Sequence, residues 1–438
     1  MNTPQQISAD QPQSWLDQYA ALDAAVGQDL EWLRKQREAA IARFEEVGLP
    51  GIRDEEWRYT NLRALKSNAY QIATPSATSS VELEPTDNPR LVFIDGFINQ
   101  ELSNASDIAG VTFASLAQVL SDTPELIETN FGACLEQDQH GFTALNTAYS
   151  QDGYVLNIAK GTVVEQVLEV LFVASDSCSV SHARNVIVAG VNSQVTVVEK
   201  HIGNDGQVYL NNTLTEITAG DNAHVDHYKI QQESDDAFHI GGVFINQGAN
   251  SNVKNHNVAL SGLVTRNDTY TNLLGQGSHM EMNGLVLGQG RQHIDNHTQV
   301  NHVVPNCTSD EYYKTVLDDQ SRSVFRGRII VAEDAQQTNA DQQNNNLLLS
   351  KDAEADTKPQ LEIYADDVKC SHGATVGQLD PKSLFYLKSR GINTEAANAL
   401  LTFAFANEVI DRVKVDSIKE QLTKIIAGEL LSGLEDLV

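Results

Sequence analysis

The chain has 438 residues, of which 30 are Lys or Arg and 59 are Asp or Glu, so its formal net charge is −29. Such a surface repels phosphate backbones and anionic lipid headgroups, which argues against nucleic-acid binding and against attachment to a membrane surface. Hydrophobic residues make up 41% of the chain and charged residues only 20%. This composition excludes a disordered polyelectrolyte, and the length predicts about two to four domains.

The distribution of apolar residues and cysteines narrows the class of protein. No apolar run reaches the roughly 18 residues of a transmembrane helix, and the start of the chain lacks the basic-then-apolar pattern of a signal peptide, so a cytoplasmic protein is expected. Four cysteines lie far apart with no Cys-x-x-Cys pair: Cys134, Cys178, Cys307 and Cys370. This spacing argues against a disulfide framework and against a self-contained zinc or iron–sulfur site.

Residues 1–150 predict a mainly helical N-terminal region. Ser14 is a candidate N-cap for a first helix. A second segment with helical periodicity, 30–47, is followed by Gly48, a residue type that commonly ends helices. The stretch 74–89 is rich in Ser, Thr, Pro and Glu, which is typical of a loop or linker.

Residues 151–375 predict a large all-β unit. Between 151 and 350 the chain has 22 asparagines and 16 glycines but one proline, and short β-branched runs recur between Gly or Asn residues. One run alternates, with Phe325, Ile329 and Val331 on one face and Arg326, Arg328 and Ile330 on the other. No pattern for a helix of ordinary length interrupts the region.

The sequence predicts that this unit is all-β but constrains its architecture less strongly. A sandwich, a barrel and a stacked solenoid are all open, and a solenoid fits best because it accepts irregular turns and Asn ladders. Two Gly-Gln-Gly turns, 275–277 and 288–290, lie thirteen residues apart, but we find no strict period across the region. The polar tract 336–346 is either an exposed loop or a solenoid edge with amide ladders.

Residues 376–438 predict a C-terminal helical region. Asp380 before Pro381 marks a helix start, and Gly391 marks its end. A second helix is expected over 394–413. The third has an apolar stripe at helical spacing: Ile418, Leu422, Ile425 and Ile426. Three such helices are typical of a small bundle, and they are also compatible with a surface that docks a partner.

Few residues carry a recognisable chemical pattern. The chain has no nucleophile elbow of the Gly-x-Ser-x-Gly type and no phosphate-binding Gly-x-x-x-x-Gly-Lys-Ser/Thr loop, so we do not expect it to hydrolyse ATP itself. His224 and His227 would face opposite sides of a strand, whereas His293 and His297 would share a face about 13 Å apart. Each of these histidines is expected to be a surface or ladder residue.

Cys370 and His372 stand out because one residue separates them. On an extended strand both side chains project from one face about 6–7 Å apart, where a thiolate and an imidazole can bind a soft or borderline metal. Two ligands are too few for a stable site, so a partner would have to complete it. The other interpretation is structural, a buried cysteine beside a turn histidine.

Two further classes of protein are compatible with the composition. Abundant carboxylates allow a glycosidase-like pair, so a free-standing β-helix enzyme acting on carbohydrate is the alternative function. Against it, aromatic residues make up only 6% of the chain, which is thin for a sugar-binding groove, and no export signal is apparent. A purely structural subunit, in which Cys370 and His372 only pack, is the third hypothesis.

The segment that contains this pair resembles a known family. The run from Cys370 to Asp380 (Cys-Ser-His-Gly-Ala-Thr-Val-Gly-Gln-Leu-Asp) continues into Leu384–Ile392 and resembles the SufD branch of the SufB/SufD family of iron–sulfur cluster assembly proteins. Glu55–Thr60 and Lys358–Ile363 support the match, which keeps the order of the motifs over nearly the whole chain. The chain lacks the N-terminal cysteine cluster of the SufB branch.

The resemblance implies a fold and partners. The implied fold is mainly β with helical ends, a right-handed parallel β-helix (β-solenoid) core flanked by N-terminal and C-terminal helical regions. The implied role is that of a non-catalytic scaffold subunit, not an enzyme, which pairs through the β-helix with a SufB-like paralogue. A SufC-like ABC ATPase would dock on the C-terminal helices and hydrolyse the ATP.

The resemblance also implies a role for the pair. The nascent iron–sulfur cluster of the family is assigned to the interface of the two paralogues, where His372 would be a ligand. Cys370 is the second candidate, with a role that is less defined, and the SufB-like partner would bring the other ligands. The resemblance leaves open whether a flavin binds and whether the isolated chain forms a homodimer.

Overall fold

The described part of the chain is mainly β with helices at both ends, as predicted. The computed structural model describes residues 7–9, 11–20, 22, 27, 29–75, 83–105, 107–135, 140–175 and 178–431. Most of the linker predicted over 74–89 has no regular structure where it is described, and its middle lies outside the described residues. Among the described helices, none combines the length and the hydropathy that a membrane-spanning segment requires.

The N-terminal region alternates short helices with short strands. Its helices are α1 (Pro12–Ala20), α2 (Glu31–Val47), α3 (Arg63–Lys66), α4 (Leu116–Asp122) and α5 (Gly141–Tyr149). Its strands are β1 (Ile7–Ser8), β2 (Ala69–Ile72), β3 (Arg90–Ile94), β4 (Phe97–Ile98) and β5 (Val111–Ser115).

Of two helix boundaries predicted in this region, one is confirmed and the other is wrong. The expected end of α2 is confirmed, because Gly48 has a φ of 62° and its N–H donates to the carbonyl of Phe44. The predicted cap of α1 is wrong. That helix begins at Pro12, so Ser14 lies inside it, and its hydroxyl instead accepts the N–H of Ser8 at 3.0 Å.

The central region consists of strands that follow one another with short turns. They are β6 (Tyr154–Ile158), β7 (Val163–Ala174), β8 (Ser179–Ser181), β9 (Arg184–Ala189), β10 (Gln194–Gly203), β11 (Leu210–Ala219), β12 (His224–Gln232), β13 (Phe238–Gln247), β14 (Asn252–Ala259), β15 (Val264–Leu273), β16 (His279–Gly288), β17 (His293–His302), β18 (Thr308–Leu317), β19 (Arg322–Val331), β20 (Asn339–Leu348), β21 (Glu354–Ile363) and β22 (Lys369–Gly377).

These strands form a β-solenoid, which confirms the predicted fold class. From β10 onward, even-numbered strands stack in parallel in one sheet, called sheet A here, and odd-numbered strands stack in the other, sheet B. One coil therefore contains one strand of each sheet. Parallel strands cannot be joined by tight hairpins, and the solenoid satisfies this constraint by returning to sheet A only after crossing sheet B.

Coil length explains why the sequence shows no strict period. The register pairs Phe238 with Val264 and Arg322 with Glu354, so a coil takes from about 26 to about 32 residues. The two Gly-Gln-Gly turns follow β15 and β16 and are opposite corners of one coil. A residue with left-handed backbone recurs at one corner, which suits Asn and Gly: Asn192, Asn222, Asn250, Gly277, Asn306 and Gln337.

The two faces of each strand have different surroundings. Inward side chains fill the space between the sheets, called the lumen here, and the predicted alternation in β19 is confirmed, since Phe325 and Ile329 are buried there. Arg326 faces outward and pairs with Glu56 at 2.5 Å. The polar tract 336–346 enters β20 instead of forming an exposed loop, and its amides alternate into the lumen.

Helical segments cover the outer face of both sheets. Aromatic residues of the N-terminal region, including Trp15 and Phe142, pack on sheet B. The C-terminal helices are α6 (Pro381–Ser389), α7 (Thr394–Ile410) and α8 (Asp416–Leu431). Val409 of α7 and Leu422 of α8 pack on sheet A, and Ile425 of the predicted stripe is only partly buried. All four cysteines are free, so the chain has no disulfide framework.

Candidate functional site

The last coil of the solenoid is exposed. Within the described part of the chain, strand β22 is the terminal strand of sheet A and β21 that of sheet B, and each pairs with one neighbour only. At the opposite end, N-terminal strands extend both sheets. Side chains of β21 and β22 are half-buried or exposed throughout. We call this last coil the open end; its unpaired N–H and C=O groups are suited to pair with another chain.

Cys370 and His372 both lie on β22, at the open end. Their Cα neighbours one coil below are Ala340 and Gln342. Cys370 is half-buried and packs against the apolar cluster of the lumen. Partial burial raises the pKa of its thiol, so a metal would have to displace a proton to obtain the thiolate.

His372 has an exposed side chain on the same face of the strand as Cys370, because residues two apart on a strand point the same way. Within the described ranges, no group of three or more His, Cys, Asp or Glu residues is arranged to hold a metal ion. The pair therefore offers two potential ligands at a surface, and a partner chain would have to supply the others.

Polar residues that the sequence analysis missed lie beneath His372. Glu311 is fully buried, and burial raises the pKa of its carboxyl to about 7. It accepts hydrogen bonds from Thr298 at 2.6 Å and from Gln342 at 3.1 Å. The sequence did contain a signal for this burial. Gln342 and Asn344 are two residues apart, as residues on one face of a strand are, and both are fully buried.

The central histidines are ladder residues, several of them buried. His224 is exposed whereas His227 is buried, as expected for residues three apart on a strand. His227 contacts Asn255 on the next coil at 2.8 Å. His201 stacks on Phe172 of the coil below. The sequence pattern did not indicate that these rings lie inside the lumen.

Exposed aromatic residues flank the last strand, β22, on both sides along the chain. Helix α6 has no buried residue, and Phe385 and Tyr386 are 75% and 57% exposed. Tyr364, which directly follows β21, is 64% exposed. Aromatic side chains are enriched in protein–protein interfaces, so the exposed aromatic surface formed by Phe385 and Tyr386 on α6 is suited to contact another protein.

The motif Glu55–Thr60 has a structural explanation. Trp57 is buried against Phe142, and the guanidinium of Arg266 lies 4.3 Å from its ring centre. The carbonyl of Glu56 accepts a hydrogen bond from Arg266 at 2.8 Å. The motif thus attaches the N-terminal region to sheet B, and Glu55 also contacts the last coil through a 3.3 Å ion pair with Lys358 of β21.

Comparisons with known proteins agree with the resemblance noted from the sequence. Residues 172–405 match the family model described as "SUF system FeS cluster assembly, SufBD core domain", and residues 9–170 match "SufBD protein N-terminal region". An iron–sulfur cluster assembly SufBD family protein of Synechocystis sp. is 33% identical, with 90% of each chain covered.

Two further relatives are named as SufD. Iron–sulfur cluster assembly protein SufD of Escherichia coli is 32% identical, with 91% of this chain and 93% of that chain covered. The protein of the same name from Bacillus subtilis is 27% identical, with 91% and 94% covered. These matches favour a role in cluster assembly over the carbohydrate-active alternative. The chain belongs to the SufB/SufD family of the SUF system for iron–sulfur cluster assembly.

Proposed function

We propose that this chain is a non-catalytic scaffold subunit of a SUF assembly complex and helps to hold a nascent iron–sulfur cluster at an interface with a SufB-like subunit. The cluster is the cargo of the complex and is passed on when assembled. His372 is the principal ligand that this chain contributes, and Cys370 is the second.

The observation that carries this proposal is the position of the pair on the open end. Cys370 and His372 lie on the terminal strand of sheet A, whose free edge can pair with a strand of a second solenoid. A partner bound there would bring its own side chains next to His372. This arrangement accounts for a site that has two candidate ligands and no third among the described residues.

The exposed aromatic surface supports a second contact. Phe385 and Tyr386 lie on α6, whereas α7 and α8 are packed on sheet A. A SufC-like ABC ATPase docked on this part of the helical region would sit next to the open end. Its ATP-driven movements would then reach the cluster interface through a short path.

The test is a reconstitution of the complex from this chain and the SufB-like and SufC-like proteins of the same organism. The complex is purified anaerobically, supplied with Fe²⁺ and a sulfide source, and followed by the visible absorbance of the cluster. We expect His372→Ala to leave the complex assembled and to lower cluster yield about tenfold or more. His372→Cys, which retains a soft ligand, should restore part of the yield.

Ser371→Ala is the matched control. Ser371 is the neighbour of His372 on the same exposed strand, but its hydroxyl faces outward and donates to Asp341. This variant should assemble clusters at the wild-type level. A wild-type yield in His372→Ala would overturn the ligand assignment, and failure of the unmodified chain to join the complex would overturn the scaffold role.

A further inference from the structure

Two buried oxygens beneath His372, Gln342 Oε1 and Glu311 Oε1, lack a hydrogen-bond partner among the described residues. The inward residues His372, Gln342 and Glu311 are stacked on three successive coils of sheet A. The Nε2 of Gln342 donates to Glu311 Oε2 at 3.1 Å. The Oε1 of Gln342 is buried and has no partner among the described residues. A buried amide oxygen without a donor is destabilising, so a donor on the strand above would be favourable.

The amide of Gln342 is held in place from two sides. Its nitrogen donates to Glu311 Oε2, which orients the amide. Across the lumen it lies against Gly327, where a Cβ would overlap its Nε2. Gly327 therefore provides the space that the amide occupies, and the position of Oε1 is determined before any cargo arrives.

Stacked histidine–amide pairs recur elsewhere in this solenoid. His227 contacts the Nδ2 of Asn255 at 2.8 Å, and these residues are Cα neighbours on adjacent coils. His256 and Asn283 form a second such pair at 3.4 Å. The coil spacing of about 4.8 Å thus allows an imidazole to bond with the amide of the next coil. At Gln342 the unpartnered atom is the oxygen, which can only accept, so the ring must donate.

We infer that Gln342, oriented by Glu311, is a positioning residue for His372. Its Oε1 accepts the N–H of one ring nitrogen and so directs the lone pair of the other ring nitrogen towards the open end. Histidines that bind metals commonly donate their second ring N–H to an oxygen acceptor, which fixes the tautomer and the orientation of the ring. The inference rests on the proposed function, because it explains how a surface histidine is prepared as a ligand.

The test measures the tautomer of His372 in the isolated full-length chain. The protein is labelled with ¹⁵N-histidine, and the ring nitrogens are observed by NMR at a pH where imidazoles are neutral. Signals of His372 are identified by their loss in His372→Gln. The unmodified chain should show a single tautomer for His372, and Gln342→Leu should show a mixture.

Two further variants control for structural effects. Asn344→Leu removes an equally buried amide on the same face of β20, outside the column of His372, and should leave the tautomer unchanged. Gly327→Ala keeps Gln342 but displaces its amide, and should give the mixture even if Gln342→Leu does not fold. A mixture in the unmodified chain, or a single tautomer in both Gln342→Leu and Gly327→Ala, would overturn the inference.

Reconstitution separates this inference from the function on which it rests. In the complete complex, Gln342→Leu should lower cluster yield 10- to 100-fold, as is typical when the partner of a ligating histidine is removed. If His372→Ala abolishes the yield but Gln342→Leu changes neither yield nor tautomer, only the positioning role fails. If the tautomer depends on Gln342 but His372→Ala keeps full yield, the ligand role fails instead.

Discussion

Arg266 and Asp295 form a fully buried ion pair between adjacent strands of sheet B, with Arg266 Nη1 2.9 Å from Asp295 Oδ2. The same guanidinium pairs with Asp268 at 2.8 Å, and His297 is 3.0 Å from the other carboxylate oxygen of Asp295. Two carboxylates thus share one buried arginine. The network lies where the N-terminal region is attached to the solenoid.

Arg266→Met should destabilise the protein by about 3–5 kcal/mol at pH 7, because it leaves two buried carboxylates without their arginine. Burial alone would raise the pKa of Asp295, but the charges of Arg266 and His297 outweigh it and hold that pKa well below its usual range. Stability from a lowered pKa is present above the unfolded value of about 4 and is lost as the pH falls through the folded value. The difference in unfolding free energy between wild type and Arg266→Met should therefore shrink as the pH falls towards 3.

Urea unfolding as a function of pH measures this effect. The control is Arg322→Met, which removes an exposed arginine of the same sheet from its 3.0 Å pair with Glu354 and should cost at most about 1 kcal/mol. An equal loss in both variants, or a deficit for Arg266→Met that does not depend on pH, would contradict the prediction.

Glu311→Gln should stabilise the protein above neutral pH. Burial raises the pKa of Glu311 to about 7, whereas its unfolded value is about 4.3. A raised carboxyl pKa means that wild-type stability declines as the pH rises from about 4 to about 7 and then stays constant. The gain of the variant should be negligible at pH 4 and reach up to about 4 kcal/mol at pH 8.

Thermal and urea unfolding at the two pH values give the result. Glu101→Gln changes an exposed glutamate and is the control; its stability should follow the wild type at both values. A Glu311→Gln variant that is less stable than wild type at pH 8 would show that the buried carboxylate is stabilised by its surroundings.

Gly284→Ala should destabilise the lumen by about 1–3 kcal/mol through overpacking. Gly284 faces inward, and a Cβ at this position would overlap the ring of its Cα neighbour Tyr313 on the next coil. Tyr313→Leu should relieve the overlap. A double-mutant cycle of these two substitutions, measured by urea unfolding, should give a coupling energy of about 1–3 kcal/mol; additive losses would refute a steric origin.

The double substitution of Phe385→Ser and Tyr386→Ser should leave the stability of the chain unchanged, since both side chains are exposed. If α6 docks the SufC-like ATPase, the affinity for that protein should fall by about 2 kcal/mol or more, roughly 30-fold. Calorimetry with the purified ATPase measures this change. Lys424→Ala, an exposed change on α8, is the control and should bind as wild type does; equal binding by all three proteins would place the ATPase elsewhere.

Local sequence patterns were sufficient to predict the helices and to predict which side chains of a single strand face inward or outward. Asp380 caps α6 and Asn393 caps α7, and each boundary is set by side-chain bonds within a few residues. The end of α7 at Ile410, three residues before the predicted end, and the misplaced cap at Ser14 show the limits of such patterns. Ser14 instead accepts the N–H of Ser8, and the end of α7 packs on sheet A through Val409 and Ile410.

The sequence by itself determined the class of fold, the family and the pair Cys370 and His372, because these depend on residue order and short spacings. Only the tertiary structure decided which residues are stacked on one another. Since coils differ in length, the register that places Glu311 and Gln342 beneath His372 has no fixed spacing along the chain. Stacking also determined that these polar residues are buried and that the strand bearing His372 is left without a further strand to pair with.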